Sequence, residues 1–214
     1  MFATRLIIRS VKNYKINIVV KLLVISDFIV WSSYQLMAPI FAVFITGDIQ
    51  GASIETVGIA SAIYLVFKSL IEIPLGIYID RTASEKDDLF TAMLGTIITG
   101  FGYIAYTFVD QIWHLYVLQA LLGFAAALAY PGWLSIFSRH LDKRSRALEW
   151  SIYDVSNGLG MAAAAALGGF MANKFGFDIV FFIVGIFTFV GALILLMLRN
   201  KIYVPKEKFF KRLK

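Results

Sequence analysis

Residues 68–81 read KSLIEIPLGIYIDR. Lys68 and Glu72 stand in the middle of an apolar run, and that run ends on Gly76, Asp80 and Arg81. Outward from this stretch the chain stays apolar. Of its 214 residues, 59% are hydrophobic and 16% charged, where a soluble domain carries about 25% charge. A water-solvated fold has no interior large enough for that much apolar surface, so the solvent is lipid. Cysteine is absent, which excludes disulfide scaffolds and thiolate metal sites.

Six apolar stretches are long enough to cross a bilayer, which takes about 20 helical residues. They run over Leu22–Ile45, Ile54–Ile79, Leu89–Val109, Ile112–Phe137, Ala147–Ala172 and Ile179–Leu198. The connectors are short and polar: TGDIQGAS, DRTASEKDD, DQ, SRHLDKRSR and NKFGFD. The expected organisation is a basic segment over 1–21, a six-helix membrane domain over 22–198 and a basic tail over 199–214. The first stretch is too long for a signal-peptide core, contains Asp27 and is followed by no small-residue cleavage site. Barrel strands would alternate over about 10 residues, and these runs do not.

Cation placement predicts orientation. Of the 20 Lys and Arg residues, 18 fall on one side of such a six-span arrangement. Lys174 is on the other side, and Lys68 is inside the membrane. Both termini are therefore expected in the cytoplasm, in the cytoplasmic membrane of a bacterium or archaeon. The net charge of +6 is then a matter of topology and anionic headgroups rather than nucleic acid.

A shift of 92 residues lays the first span on the fourth, the second on the fifth and the third nearly on the sixth. Pro39 falls on Pro131, Gly76 on Gly168 and Asp27 on Gln119. Each unit holds three spans, so the second is inverted relative to the first. Inverted three-helix repeats place a site near the bilayer midplane, between corresponding helices. Six spans of similar length would also align by default, but the coincidence of all three helix frames favours the repeat.

Ionisable residues within a span are costly and mark pathways by default. Glu72 lies eight residues before Asp80, about 12 Å deep at 1.5 Å per residue, and Lys68 lies about 18 Å deep. At i,i+4 the two share a helix face and can neutralise each other. They are either a buried pair that sets helix packing or part of a proton and substrate path. Asp27, in the first span, is either an interfacial residue satisfied by Lys21 or a member of the same cavity. Asp154, seven residues into the fifth span, lies at similar depth, so three helices carry a carboxylate at one level. Trp31, Tyr34 and Phe41 follow Asp27 at helical spacing, as a packing stripe or as a substrate-facing one. The small-residue run GLGMAAAAALGG after Asn157 reads as a close-packing seam, and as a hinge by hypothesis.

Enzyme readings fail on the same residues. His114 and His140 are the only histidines. They are separated along one helix by about 39 Å, and no nucleophile elbow, zinc-protease or phosphate-loop motif occurs. No cofactor or metal is expected.

With GIYIDR in view, the chain resembles the major facilitator superfamily. The likeness covers nearly the whole sequence, but only one six-helix half of a usual twelve-helix member. The family's signature after the second helix is matched by Gly76, Asp80 and Arg81. Ala83 replaces its second glycine and Ser84 a basic residue, while Lys86 keeps the last positive charge. The resemblance implies that this segment is a conformational latch on the cytoplasmic face. LAYPGW at 128–133 and RSRAL at 144–148 also look like the family. Where members often carry a helix-4 arginine, this chain has Gln119, ahead of Gly123. The antiporter signature of helix 5 is kept at Gly160, Gly168 and Gly169, but Ala164 and Ala165 occupy its Gly-Pro positions. Pro39 and Pro131 join these glycines as expected packing or hinge positions.

The resulting expectation is an all-α membrane protein, half of a major facilitator fold, acting in secondary transport. The cargo would be a small amphipathic or cationic molecule exported in exchange for protons. Asp27, Trp31, Tyr34, Lys68, Glu72, Gln119 and Asp154 would line the path. Alternating access needs a second half, and the cation bias favours a parallel homodimer. The alternative is a non-transporting membrane subunit, an assembly factor or a truncated half-transporter.

Overall fold

In lipid every backbone polar group needs an internal partner, so helices run until a cap or turn releases them. The computed structural model describes residues 16–81 and 84–202. The cations Arg5 to Lys15, Ala83 and the basic tail from residue 203 lie outside the described residues. Six helices are long and apolar enough to cross a membrane: α1 (Ile18–Asp48), α2 (Ile54–Arg81), α3 (Glu85–Phe108), α4 (Ile112–His140), α5 (Arg146–Phe175) and α6 (Phe177–Asn200). The described residues contain no strand; Gln50 and Gln111 form an isolated bridge. The protein is a multi-pass, all-helical membrane protein.

Two helices start a turn earlier than their apolar runs, because polar caps precede those runs. The Asn17 side chain accepts from the Val19 N–H at 2.9 Å, so α1 begins at Ile18 rather than Leu22. Ser84 accepts from the Lys86 N–H at 3.1 Å. The acidic run Glu85–Asp88, read as connector, is thereby the first turn of α3, where the helix N-terminus favours negative charge. Gly176, at φ 84°, is the single residue between α5 and α6, and its N–H bonds to Ala172 O at 2.9 Å. A residue with a Cβ would resist that left-handed turn.

The two prolines aligned by the 92-residue shift behave differently. Pro39 sits in a 3-10 turn, Ala38–Ile40, that divides α1 into Ile18–Met37 and Phe41–Asp48. Pro131 lies within α4, which stays α-helical from Ile112 to His140. Pro74, inside α2, is a third such position.

The packing partners respect the repeat. α1 packs on α5 as α4 packs on α2, α3 packs on α4 as α6 packs on α1, and α3 and α6 pack on each other. Exchanging α1–α3 with α4–α6 maps this pattern onto itself. Glycines set the closest approaches. A Cβ at Gly123 of α4 would strike the Tyr64 carbonyl of α2, and one at Gly168 of α5 would strike the Leu36 carbonyl of α1. Gly132 is seated the same way against the Asp88 carbonyl of α3.

Two apolar clusters close the ends of the bundle. One gathers Phe44, Tyr106, Leu115 and Phe181; the other gathers Leu23, Trp133, Phe137 and Leu195. The helices are covered unequally. In their most apolar windows, 6% of α2 and 11% of α5 is buried, against 28% to 44% in the other four. α2 and α5 are thus the most open helices of the bundle.

Candidate functional site

The ion pair that opens the sequence problem is formed. Lys68 Nζ lies 3.9 Å from Glu72 Oε2, with both side chains 30% exposed. The Lys68 ammonium also stands over the Tyr130 ring of α4, 5.2 Å from its centroid. Gly123 makes this possible. Without a side chain there, α4 seats directly on the α2 backbone at Tyr64 and Lys68. Tyr130 follows two turns further along α4 and meets the ammonium.

On the opposite seam, Tyr153 of α5 donates its hydroxyl to Asp27 Oδ2 of α1 at 2.8 Å. Tyr153 is packed among Trp133, Phe137 and Trp150, with ring centroids 5.3 Å, 5.4 Å and 5.6 Å away. Tyr130 and Asp154 are within electrostatic reach of Tyr153. Likewise, Tyr34 and Glu72 are within reach of Tyr64. The two charged centres therefore belong to one polar and aromatic belt carried by α1, α2, α4 and α5. Trp31 and Tyr34 make an edge-to-face contact at 5.9 Å, and Tyr34 continues to Tyr103 of α3 at 6.1 Å.

Of the residues singled out in the sequence, Asp27, Trp31, Tyr34, Lys68 and Glu72 enter this belt. Gln119 is buried on α4. Asp154 is exposed, and the α5 residue that meets Asp27 is its neighbour Tyr153. Consecutive helical residues point about 100° apart, so α5 turns the tyrosine toward α1 and the carboxylate away. Phe41 packs elsewhere, edge-on to Tyr106 at 5.3 Å in an end cluster.

Asp80 and Arg81 are exposed at the end of α2, and neither has an ion-pair partner among the described residues. Gly76 and Gly169 face open space, with nothing within 4 Å of a built Cβ. Gly160 and Gly168 instead form the α5–α1 seam, against Phe28, Ser32 and Leu36. The aligned glycines Gly76 and Gly168 thus differ. At the α2–α4 seam the close-packed glycine is Gly123, on the other helix.

Several polar residues of the interior were not singled out by sequence. Asn157 Oδ1, Ser32 Oγ and Trp133 Nε1 are buried with no hydrogen-bond partner among the described residues. Glu85, Asp88 and Glu149 are buried at the opposite end from the connector carrying Gly51. Asp88 accepts from Ser135 Oγ at 2.8 Å, and Glu149 accepts from the Asp142 N–H at 2.8 Å. His140 Nε2 lies 3.8 Å from Glu85 Oε2. A signal existed for two of them. Glu85 and Asp88 lie at helical spacing on the same stripe as the small residues Ala92 and Gly95, which marks a packed face.

Comparison with known proteins agrees with this architecture. A family model described as Major Facilitator Superfamily matches residues 23–213. The chain is 25% identical over 152 residues to the maltose permease of Geobacillus stearothermophilus, covering 71% of this chain and 38% of that protein. It is 28% identical over 143 residues to the inner membrane transport protein YajR of Escherichia coli (strain K12), covering 67% and 30%. Its fold is similar to the in meso crystal structure of the POT family transporter PepTSo, at TM-score 0.74 and 17% identity over 91% of this chain and 40% of that one. The chain thus spans 30% to 38% of the length of these two curated relatives, which are named as transport proteins and not as enzymes.

Proposed function

The chain belongs to the major facilitator superfamily, and from that premise we propose that it works in secondary transport of a small molecule, as proton-coupled export. The observation that carries this reading is the Lys68–Glu72 pair, half-buried deep within a membrane span and capped by Tyr130. A charge at mid-span costs about 2.5–3.5 kcal/mol on insertion scales. Such a cost is sustained where the group faces a wet path. Asp27, tied to Tyr153, is the second carboxylate of that path. Aromatic faces beside two carboxylates favour a cationic or amphipathic cargo. Trp31, Tyr34 and Gln119 shape the path, and Asp80 and Arg81 act as the latch that engages neighbouring helix ends in one conformation.

A second bundle completes the cavity. α2 and α5 are the helices left most open, and α2 carries the ion pair. A second copy of this chain, in the same orientation with both termini cytoplasmic, is the proposed partner in the cytoplasmic membrane. One fact favours a second reading, that of a subunit needing a different half: the chain spans 30% to 38% of its curated relatives.

Reconstituted liposomes test the proposal. Vesicles acidic inside should accumulate a labelled organic cation, and a protonophore should abolish that accumulation. Asp27→Asn and Glu72→Gln should remove gradient-driven flux while the protein stays folded. Full flux in both variants, or none in the unaltered protein across a cation panel, overturns the reading.

A further inference from the structure

The contact between Lys68 and Tyr130 has a chemical meaning beyond charge neutralisation. A carboxylate and an aromatic face are the two groups that together hold an organic ammonium. Glu72 and Tyr130 present that pair around the Lys68 ammonium. The hold is loose. The 3.9 Å separation is well beyond the 2.7–2.9 Å typical of a charge-assisted hydrogen bond. Both side chains keep 30% exposure, and a lysine stem is long and freely rotating. The box itself is firm. Its two helices meet at Gly123, where no Cβ fits against the Tyr64 carbonyl, so the spacing of Glu72 and Tyr130 is set by backbone contact.

We propose that Glu72 and Tyr130 form a subsite for the ammonium head of a cationic ligand, and that Lys68 is a tethered competitor filling it when the ligand is absent. The proposal deepens the transport reading and rests on it for the identity of the path. An entering cation displaces the lysine ammonium toward the open side of α2, so Glu72 keeps a cationic partner with and without the ligand. The ligand is a monovalent ammonium with an apolar body. Its body reaches toward the aromatic residues around Tyr153, which lies within electrostatic reach of Tyr130.

Equilibrium binding of benzyltrimethylammonium to the full chain in nanodiscs, read by tryptophan fluorescence, tests this without requiring flux. Lys68→Met keeps the apolar stem and removes the competitor, and should tighten binding roughly 3- to 10-fold. Glu72→Gln and Tyr130→Leu should each weaken it by a similar factor. The neutral isostere neopentylbenzene should show no such dependence on residue 68. Unchanged or weaker binding in a folded Lys68→Met protein overturns the proposal, as does unaltered affinity in folded Tyr130→Leu. Should Lys68→Met fail to fold, Tyr130→Leu decides alone. Binding with this pattern but without gradient-driven flux would sink the transport reading and leave the subsite standing. Flux of other cargo without this pattern would do the reverse.

Discussion

Tyr153 donates its hydroxyl to Asp27 across 2.8 Å, joining α5 to α1 over 126 positions of sequence. The bond holds a carboxylate inside a membrane span through a neighbour that is itself clamped by three aromatic rings. Tyr153→Phe keeps that packing and removes the donor. Loss of a partner for a buried polar group costs about 1–3 kcal/mol, so thermal stability in detergent should fall measurably. Gradient-driven flux should fall more than binding does, because Asp27 is proposed to change protonation during the cycle. A variant with unaltered stability and flux would show that the bond does neither job.

The glycines divide into two populations, and substitution should separate them. At Gly123 and Gly168 an added side chain meets a backbone carbonyl of the facing helix. Valine at either should cost about 1–3 kcal/mol through overpacking, read as a lower unfolding temperature. Alanine at Gly76 or Gly169 meets nothing within 4 Å and, inside a helix, should leave the single bundle as stable as before or up to about 1 kcal/mol more stable. Leucine at Gly76 adds the diagnostic arm. If a second bundle closes over α2, this bulk should weaken association in crosslinking while the single bundle remains folded.

What sequence made legible was local. Lys68 and Glu72 pair because i,i+4 geometry is built into any helix, and the six spans follow from run length alone. Which face of a helix meets which neighbour is not local. Tyr153 and Asp154 are adjacent in sequence, and charge alone singles out the second. α5 is rotated so that the tyrosine reaches Asp27 and Asp154 is exposed. The partnership of Lys68 with Tyr130 was hidden for the same reason, since it depends on how closely α4 approaches at Gly123. The acids before the third apolar run looked like connector because hydropathy reports composition. The Ser84 cap converts them into the buried first turn of α3.

Those acids carry a prediction of their own. Asp88 is fully buried and accepts from Ser135, whereas Asp154 is exposed. Asp88→Ala leaves the Ser135 hydroxyl without its carboxylate and opens a gap at the α3–α4 contact, at a cost of about 1–3 kcal/mol. Asp154→Ala should stay within about 0.5 kcal/mol of the unaltered protein. Parallel thermal unfolding of the two variants in one detergent distinguishes them. Equal effects would mean that the α3–α4 end is held by apolar packing alone.

Orientation can be read chemically because the chain has no cysteine, so a single introduced thiol reports one site. Asp48 is exposed at the end of α1, and Lys143 is exposed between α4 and α5. Three spans, α2, α3 and α4, separate Asp48 from the α4–α5 connector, an odd number of crossings, so the two positions must face opposite sides of the membrane. The excess of cations around the α4–α5 connector predicts that Lys143 faces the cytoplasm. In intact cells a membrane-impermeant maleimide should label Asp48→Cys and spare Lys143→Cys. Permeabilisation should then expose the second site. Labelling of Lys143→Cys in intact cells would invert the bundle, and the proposed export would have to be reassigned as import through the same path.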